Sequence, residues 1–429
     1  MANVKELSFV ELDNMLSKNV DDRGSISTNN AFSKIDEFID TGNYLLNAQI
    51  SGSLFGGFPN CRTVALAGET GTGKTFLALN ACRQAQKAGY HVIYCDSEAA
   101  VDTDTFKKFG VDPDKVRYQP MNTPLEFKYF VANLIKVMQD AKAAKKQVPK
   151  IMLVLDSLGN LATTKERADA LSKSEKKDMT KAQEMRSLFR IITMDLAEAK
   201  IPFIMTAHTY ASVGSFIPMD VMSGGGGPLY NASVILFLYK SQLNVANAEA
   251  DKVGMKKTGI IVRSAPHKNR FARPITIRFH ISFYKGMNPY VGLEQFISWE
   301  NCGIEKGNIY DEKGFSKWTD EQKKEAAEKG YEMEKDGKKY YFYPKSTARN
   351  FVVKHLADTI PANELFTPKV LTEDVLKHLD ENVIKPTFKL PEIGDMYDME
   401  GYADDLVEAN IDNPDDDDSV EDKLGNTLK

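Results

Sequence analysis

Eight consecutive residues, Gly68-Glu69-Thr70-Gly71-Thr72-Gly73-Lys74-Thr75, constrain the fold of this chain more than any other feature. They satisfy G-x-x-x-x-G-K-[ST], follow an apolar run at residues 63–67 and open a helix-length segment that reaches Gly89. Strand, glycine-rich turn and helix in that order aim successive backbone N–H groups and the positive end of a helix dipole at one anion. Residues Gly68, Glu69, Thr70, Gly71, Thr72 and Gly73 are therefore expected to cradle the phosphates of a nucleoside triphosphate. Lys74 should contact the β- and γ-phosphates, and Thr75 should offer its hydroxyl to Mg²⁺, a hard cation that prefers oxygen ligands.

The same strand-then-helix rhythm recurs. Apolar runs at residues 92–95, 151–155 and 203–206 are separated by helix-length segments, the pattern of βαβ units and a largely parallel, buried sheet. Runs at 234–239, 259–262 and 275–283 lack long helices between them and should pair antiparallel at one side. An amphipathic stretch through Phe32, Ile35, Phe38 and Ile39 predicts a helical segment within residues 1–50. The α/β core then spans 51–290. Residues 291–390 read as a small α+β domain, with a strand pair about Asp336-Gly337 flanked by Tyr331 and an aromatic run at 340–343. Residues 391–429 are expected to be disordered.

That tail also resolves a conflict in the charge. The net charge of -5 argues against a polyanion partner, but residues 391–429 hold 14 acids and only 2 lysines. Residues 1–390 therefore carry 53 bases against 46 acids, a body of +7 that suits a polyanion; the tail either competes with it or serves solubility. No signal layout opens the chain and no apolar run is long enough to span a membrane, so a cytoplasmic protein with no membrane partner is expected. Four cysteines, Cys61, Cys82, Cys95 and Cys302, have neither metal-site spacing nor the density of a disulfide scaffold.

Two acidic strand ends complete the candidate nucleotide site. The run at 151–155 ends in Asp156, suited to holding Mg²⁺ through water, and the run at 92–95 leads to Asp96-Ser97-Glu98. Glu98 is the candidate activator of the attacking water, or else a helix-capping or solvated carboxylate.

Residues 68–75, 94–102, 153–161, 207–210 and 224–233 resemble, in order and spacing, the blocks of RecA-type recombinases, and are most similar to the phage strand-exchange branch of that family. The resemblance is strong over about residues 45–300 and weaker beyond. It implies a RecA-like P-loop ATPase core with a mostly parallel central sheet, in a DNA-dependent ATPase that forms helical homo-oligomeric filaments on single-stranded DNA. Such a filament exchanges strands with homologous duplex DNA, in the company of a single-strand-binding protein and a recombination mediator.

By the same resemblance Glu98 polarises water, Asp102 contacts adenine and His208 senses the γ-phosphate. Residues 1–50 become a polymerisation segment, and Lys268 and Arg270 reach a neighbouring subunit's γ-phosphate, or else lie on a surface connection. Two loops face DNA. The first, about residues 163–178, carries Lys165, Arg167, Lys173, Lys176 and Lys177, a DNA contact or a solvated face. Arg186 and Arg190 follow at i, i+4 on one helix face. The second, residues 210–227, carries Phe216, a candidate wedge between bases, and Gly224 and Gly225, whose amides approach phosphates. A RecA-core DNA helicase or motor shares the nucleotide elements, and a non-catalytic DNA-binding regulatory paralogue is the third reading.

Overall fold

In a computed structural model of the chain, the apolar runs become strands of a nine-stranded sheet. The structure describes residues 34–167, 181–211, 220–243 and 258–391, together with Ser8, Glu11, Leu12 and Met15. Near the start, β1 (Phe38–Ile39) pairs antiparallel with β2 (Phe58–Pro59), and α1 (Tyr44–Ser51) lies between them. The helix expected through Phe38 and Ile39 is thus a strand. Phe38 is exposed and Ile39 buried, the two-residue period of a strand. The helix begins only after Gly42, at φ 86°, where the Asn43 side chain accepts the Leu46 N–H.

The large sheet contains β3 (Thr63–Gly68), β4 (His91–Asp96), β5 (Val116–Pro120), β6 (Ile151–Asp156), β7 (Phe203–Ala211), β8 (Asp220–Met222), β9 (Val234–Leu243), β10 (Gly259–Asn269) and β11 (Ile277–Ser282). Its order is β11-β10-β9-β3-β7-β6-β4-β5, with β8 attached to β7. Neighbours from β9 to β5 run parallel, whereas β10 and β11 add antiparallel at one edge, as their sequence pattern predicts. Strand β5 carries Val116-Arg117-Tyr118-Gln119-Pro120, too polar to be found by apolar runs; it forms because it needs to satisfy only one partner, at the other edge.

Successive side chains of β3 point to opposite faces and enter two cores. Val64 and Leu66 pack with Leu77, Ala81 and Ala85 of α2 (Lys74–Lys87). Ala65 and Ala67 join the core formed by Phe127, Val131 and Ile135 of α4 (Pro124–Ala143) with Leu188, Phe189 and Ile192 of α5 (Lys181–Glu198). Two shorter helices, α3 (Thr103–Lys108) and α6 (Gly226–Asn231), lie beside strand ends. Helices cover both faces, the layering of an α/β fold.

Past residue 290 a second, antiparallel sheet of five strands appears, richer in strand than the sequence pattern suggests. It comprises β12 (Ile304–Asp311), β13 (Glu332–Lys335), β14 (Lys338–Pro344), β15 (Asn350–Val353) and β16 (Asp358–Pro361), in the order β13-β14-β12-β15-β16. The hairpin at Asp336-Gly337 forms as expected, with φ of 53° and 72° at its two turn residues. Trp299 stacks on Phe342 with centroids 4.1 Å apart. The segment is tied to the body by Asp380, whose buried carboxylate accepts the Leu54 N–H (2.6 Å) and the Ser53 hydroxyl (2.7 Å). Leu390–Lys429 is a separate unit, and the acidic tail from residue 392 lies outside the described residues. Among the described residues no helix is long and apolar enough to cross a membrane.

Candidate active site

Parallel register sets the site. Gly68 at the end of β3 pairs with His208 on β7, and Asp96 at the end of β4 pairs with Asp156 at the end of β6. Four elements of the sequence pattern thus reach the same carboxyl edge of the sheet, where open α/β sheets bind ligands.

The loop after β3 turns through Gly71 (φ 76°) and Gly73 (φ 93°), conformations that L-residues rarely adopt. Gly68 is required for a different reason: a Cβ there would lie 2.5 Å from the Leu238 carbonyl oxygen. Lys74 is buried, and its ammonium donates to the carbonyls of Gly68 and Glu69, each at 2.8 Å. Burial lowers its pKa, opposed by the charges of Asp156 and Glu98. A phosphate oxygen offers the same ammonium a charged acceptor, so the loop fits a polyphosphate. Lys240 on β9 donates to the Thr70 carbonyl and adds a second cation at the loop rim, one that sequence reasoning missed because it comes from a distant strand.

Thr75 donates its hydroxyl to Asp156 Oδ2 at 2.8 Å. Asp156 is 4% exposed and also accepts hydroxyls from Tyr94 (2.8 Å) and Thr206. Burial and the Asp156 charge push the Tyr94 phenol well above its ordinary pKa, so it remains a donor. A threonine hydroxyl beside an oriented carboxylate is a donor set of hard oxygens that fits Mg²⁺.

Glu98 faces this pair across the β4–β6 junction. Its Oε1 accepts the Ser157 hydroxyl at 2.5 Å and lies 3.1 Å from His208 Nε2. Burial raises the carboxyl's pKa, but the bonds from Ser157 and His208 and the charges of His208 and Lys74 outweigh it, leaving Glu98 below its ordinary 4.5. Glu98 is thus an ionised, oriented base beside the phosphate loop. Ser157 was not assigned a part from sequence, since a serine after an acidic strand end carries no distinctive signal.

Asp102 caps α3, accepting the Thr105 N–H (2.8 Å) and hydroxyl. A cavity of about 640 Å³ opens beside the loop, lined by Gly71, Gly73, Phe76, Phe109, Ile260 and Tyr284 among others. Asp102 is not part of that lining. The aromatic pair Phe76–Phe109, packed edge to face with centroids 5.2 Å apart, gives the cavity an apolar side against which a nucleobase could pack.

The described ends of the second loop are paired as strands. Residues 209–211 of β7 pair with 220–222 of β8, and the His208 carbonyl accepts the Ser223 N–H at 2.8 Å. This forms a hairpin stem; its tip, with Phe216, lies outside the described residues. The stem pairs only Thr209-Tyr210-Ala211 with Asp220-Val221-Met222 and is too short to register as an apolar run. Gly224 and Gly225 adopt φ of 99° and 68°, and α6 follows. It packs on α5 so closely that a Cβ on Gly227 would meet the Met185 carbonyl carbon and oxygen at 2.8 Å and the Arg186 nitrogen at 3.0 Å. Exposed Arg186 is thereby held against the glycine block, with exposed Arg190 one turn on. Gly227→Ala should force α6 off α5 and destabilise the fold by roughly 1–3 kcal/mol, read by urea unfolding.

In the first loop, Lys165 and Arg167 sit on a helical turn at 164–167, with Arg167 3.7 Å from Glu126; Lys173, Lys176 and Lys177 lie outside the described residues. Lys268 and Arg270 are not brought to the phosphate loop. Strand β9 runs parallel to β3 from Val234, paired with Val64, and β10 returns antiparallel so that Asn269 lies opposite Val234. The pair therefore sits toward the far edge of the sheet: Lys268 is level with Ala65, roughly 10 Å of strand rise from Gly68, and Arg270 lies two residues beyond. There the Lys268 ammonium donates to the carbonyls of Leu229 (3.0 Å) and Tyr230 (2.8 Å).

Residues 18–288 match the RecA N-terminal domain family. The "Recombination and repair protein" of Enterobacteria phage T4 is 29% identical over 251 residues, 58% of this chain and 60% of the relative. Protein RecA of Malacoplasma penetrans is 27% identical over 256 residues, covering 59% of this chain and 71% of that one. Protein RecA of Streptomyces coelicolor is 28% identical over 276 residues, 64% and 66% of the two chains. The chain thus spans about three fifths of the phage relative's length. With the family matched over more than half of its residues, and on the sheet whose strand ends carry the phosphate loop, Glu98, Asp156 and His208, the chain belongs to the RecA family.

Proposed function

We propose that this chain is an ATP-dependent DNA recombinase that assembles as a helical filament on single-stranded DNA and catalyses homologous pairing and strand exchange in recombination, repair and recombination-dependent replication. One observation carries the reading. Glu98 is bonded to His208, and the strand bearing His208 continues without a break into the hairpin stem of the second loop. A change of partner at His208 is transmitted to that stem by strand geometry.

In this reading Lys74 exchanges the Gly68 and Glu69 carbonyls for the β- and γ-phosphates of ATP. Mg²⁺, when bound beside Thr75 and Asp156, supplies positive charge that offsets the charge on the phosphates. Glu98 orients and polarises the attacking water, and His208 reports the γ-phosphate by leaving Glu98 for it. The base occupies the cavity beside Phe76 and Phe109; the adenine contact that the resemblance assigns to Asp102 would require a base placed outside that lining, nearer the start of α3. Lys268 and Arg270, remote from their own loop, serve the loop of the next subunit. Arg186, Arg190 and the amides of Gly224 and Gly225 hold DNA phosphates while Phe216 wedges between bases. Base pairing then supplies specificity, and the affinity falls steeply with salt. The protein works in the cytoplasm of a bacterial host with a single-strand-binding protein and a mediator.

Purified protein given ATP, single-stranded circles and homologous linear duplex should form joint molecules, and electron microscopy should find helical filaments. Closed rings that unwind forks would instead identify a helicase. Lys268→Ala should bind nucleotide normally yet lose about a hundredfold in DNA-stimulated turnover, and a small fraction of it mixed into wild type should depress turnover beyond its share.

A further inference from the structure

We infer that Asp96 is a positioning residue for Glu98: its carboxylate fixes the backbone that presents the water-activating side chain, and Tyr118 anchors that carboxylate from the edge strand. The inference rests on the proposed role of Glu98 and adds how that role is enforced. Asp96 is 3% exposed. Its Oδ1 accepts the N–H groups of Glu98 (2.7 Å) and Ala99 (2.9 Å), and its Oδ2 those of Ala100 (3.1 Å) and Val101 (3.3 Å). Four successive amides therefore converge on one anion, a backbone nest closed on a side chain of the same segment. A fifth donor, the Tyr118 hydroxyl, reaches Oδ2 at 3.0 Å.

The consequence is visible at Ala99, held at φ 53°, a conformation that alanine keeps only where its surroundings enforce it. This turn sends the Glu98 side chain toward Ser157 and His208 rather than along the strand. A second tie runs beneath it: Ser97 donates its N–H to the Asp156 carbonyl (2.8 Å) and its hydroxyl to the Ser157 carbonyl (2.6 Å), so the β4 and β6 ends move as one. With the strand end fixed, the residue that decides where Glu98 points is Asp96. An asparagine there keeps one acceptor oxygen but turns an amide N–H₂ toward backbone donors, and two of the nest bonds are lost.

The test compares Asp96→Asn, Tyr118→Phe and Glu98→Gln, each alone and each of the first two combined with Glu98→Gln, by the kcat and KM of DNA-stimulated ATP turnover. Misplacing a catalytic base by about 1 Å lowers kcat by up to a hundredfold, so Asp96→Asn should lose about thirtyfold and Tyr118→Phe about threefold, with KM within about twofold of wild type. In the Glu98→Gln background both substitutions should change residual turnover by less than about twofold, because the side chain they position is already gone. Equal losses with and without Glu98, or full kcat in the single variants, overturn the inference. Should Asp96→Asn fail to fold, Tyr118→Phe, at a 40% exposed edge position, decides alone by the same criterion. Full turnover in Glu98→Gln overturns the proposed role of Glu98 and this inference with it. Loss in Glu98→Gln with unchanged single variants overturns only the positioning role.

Discussion

Glu98→Gln is expected to lower ATP turnover by about two to three orders of magnitude while nucleotide affinity stays within a few-fold of wild type. The glutamine has the same shape and can still meet Ser157 and His208, so the fold and the phosphate loop are undisturbed. What it removes is the negative charge that polarises water. Equilibrium binding of a fluorescent nucleotide, measured beside steady-state phosphate release, separates the two effects. Unchanged turnover would place water activation elsewhere. The same site sets a pH limit. Glu98 has a folded pKa below its ordinary 4.5, so its ionised form persists above that lowered value and is lost only as pH falls through it. The acid limb of turnover due to this group should therefore lie below about pH 4.5 in protein that remains folded.

The second large effect is at Asp156, where replacing the carboxylate separates stability from metal chemistry. Asp156→Ala strips the acceptor from Thr75, Tyr94 and Thr206, and Tyr94 and Thr206 are fully buried. Each buried donor left without a partner costs about 1–3 kcal/mol, so a loss of roughly 3–5 kcal/mol in urea unfolding is expected. Asp156→Asn should fold with a loss of only about 1–2 kcal/mol, because hydroxyls rotate to accept from its amide. Yet it too should lose Mg²⁺-dependent turnover, since a neutral amide is a poor partner for a hard dication. Turnover of the asparagine variant at the wild-type Mg²⁺ optimum would remove Asp156 from the metal site.

Several features were legible in the sequence for definite physical reasons. The central strands are buried on both faces and read as continuous apolar runs, and the phosphate loop uses glycines that few other residues replace at φ near 76° and 93°. The acidic strand ends at Asp96 and Asp156 are weak signals alone and become informative only beside the phosphate loop upstream. The hairpin at Asp336-Gly337 is equally local. Two elements escaped that reading: β5 is polar, and the β7–β8 stem is too short to register as a run; both are defined by backbone pairing. Phe38 and Ile39 misled because two adjacent apolar residues fit either period until a partner strand selects one.

By itself, then, the sequence determined the phosphate loop at residues 68–75 and the parallel α/β layering, and it offered Glu98 and Asp156 as candidate acidic companions. Each depends on residues close in the chain. Tertiary structure decided what those groups do to one another: that Ser157 and His208 outweigh burial at Glu98, that Lys240 reaches Thr70 from a remote strand, and that Lys268 and Arg270 lie at the opposite edge of the sheet from their own loop. Those relations arise from strand register and strand order, which bring together residues separated by 59 to 170 positions, and no local pattern of residue types encodes such distances.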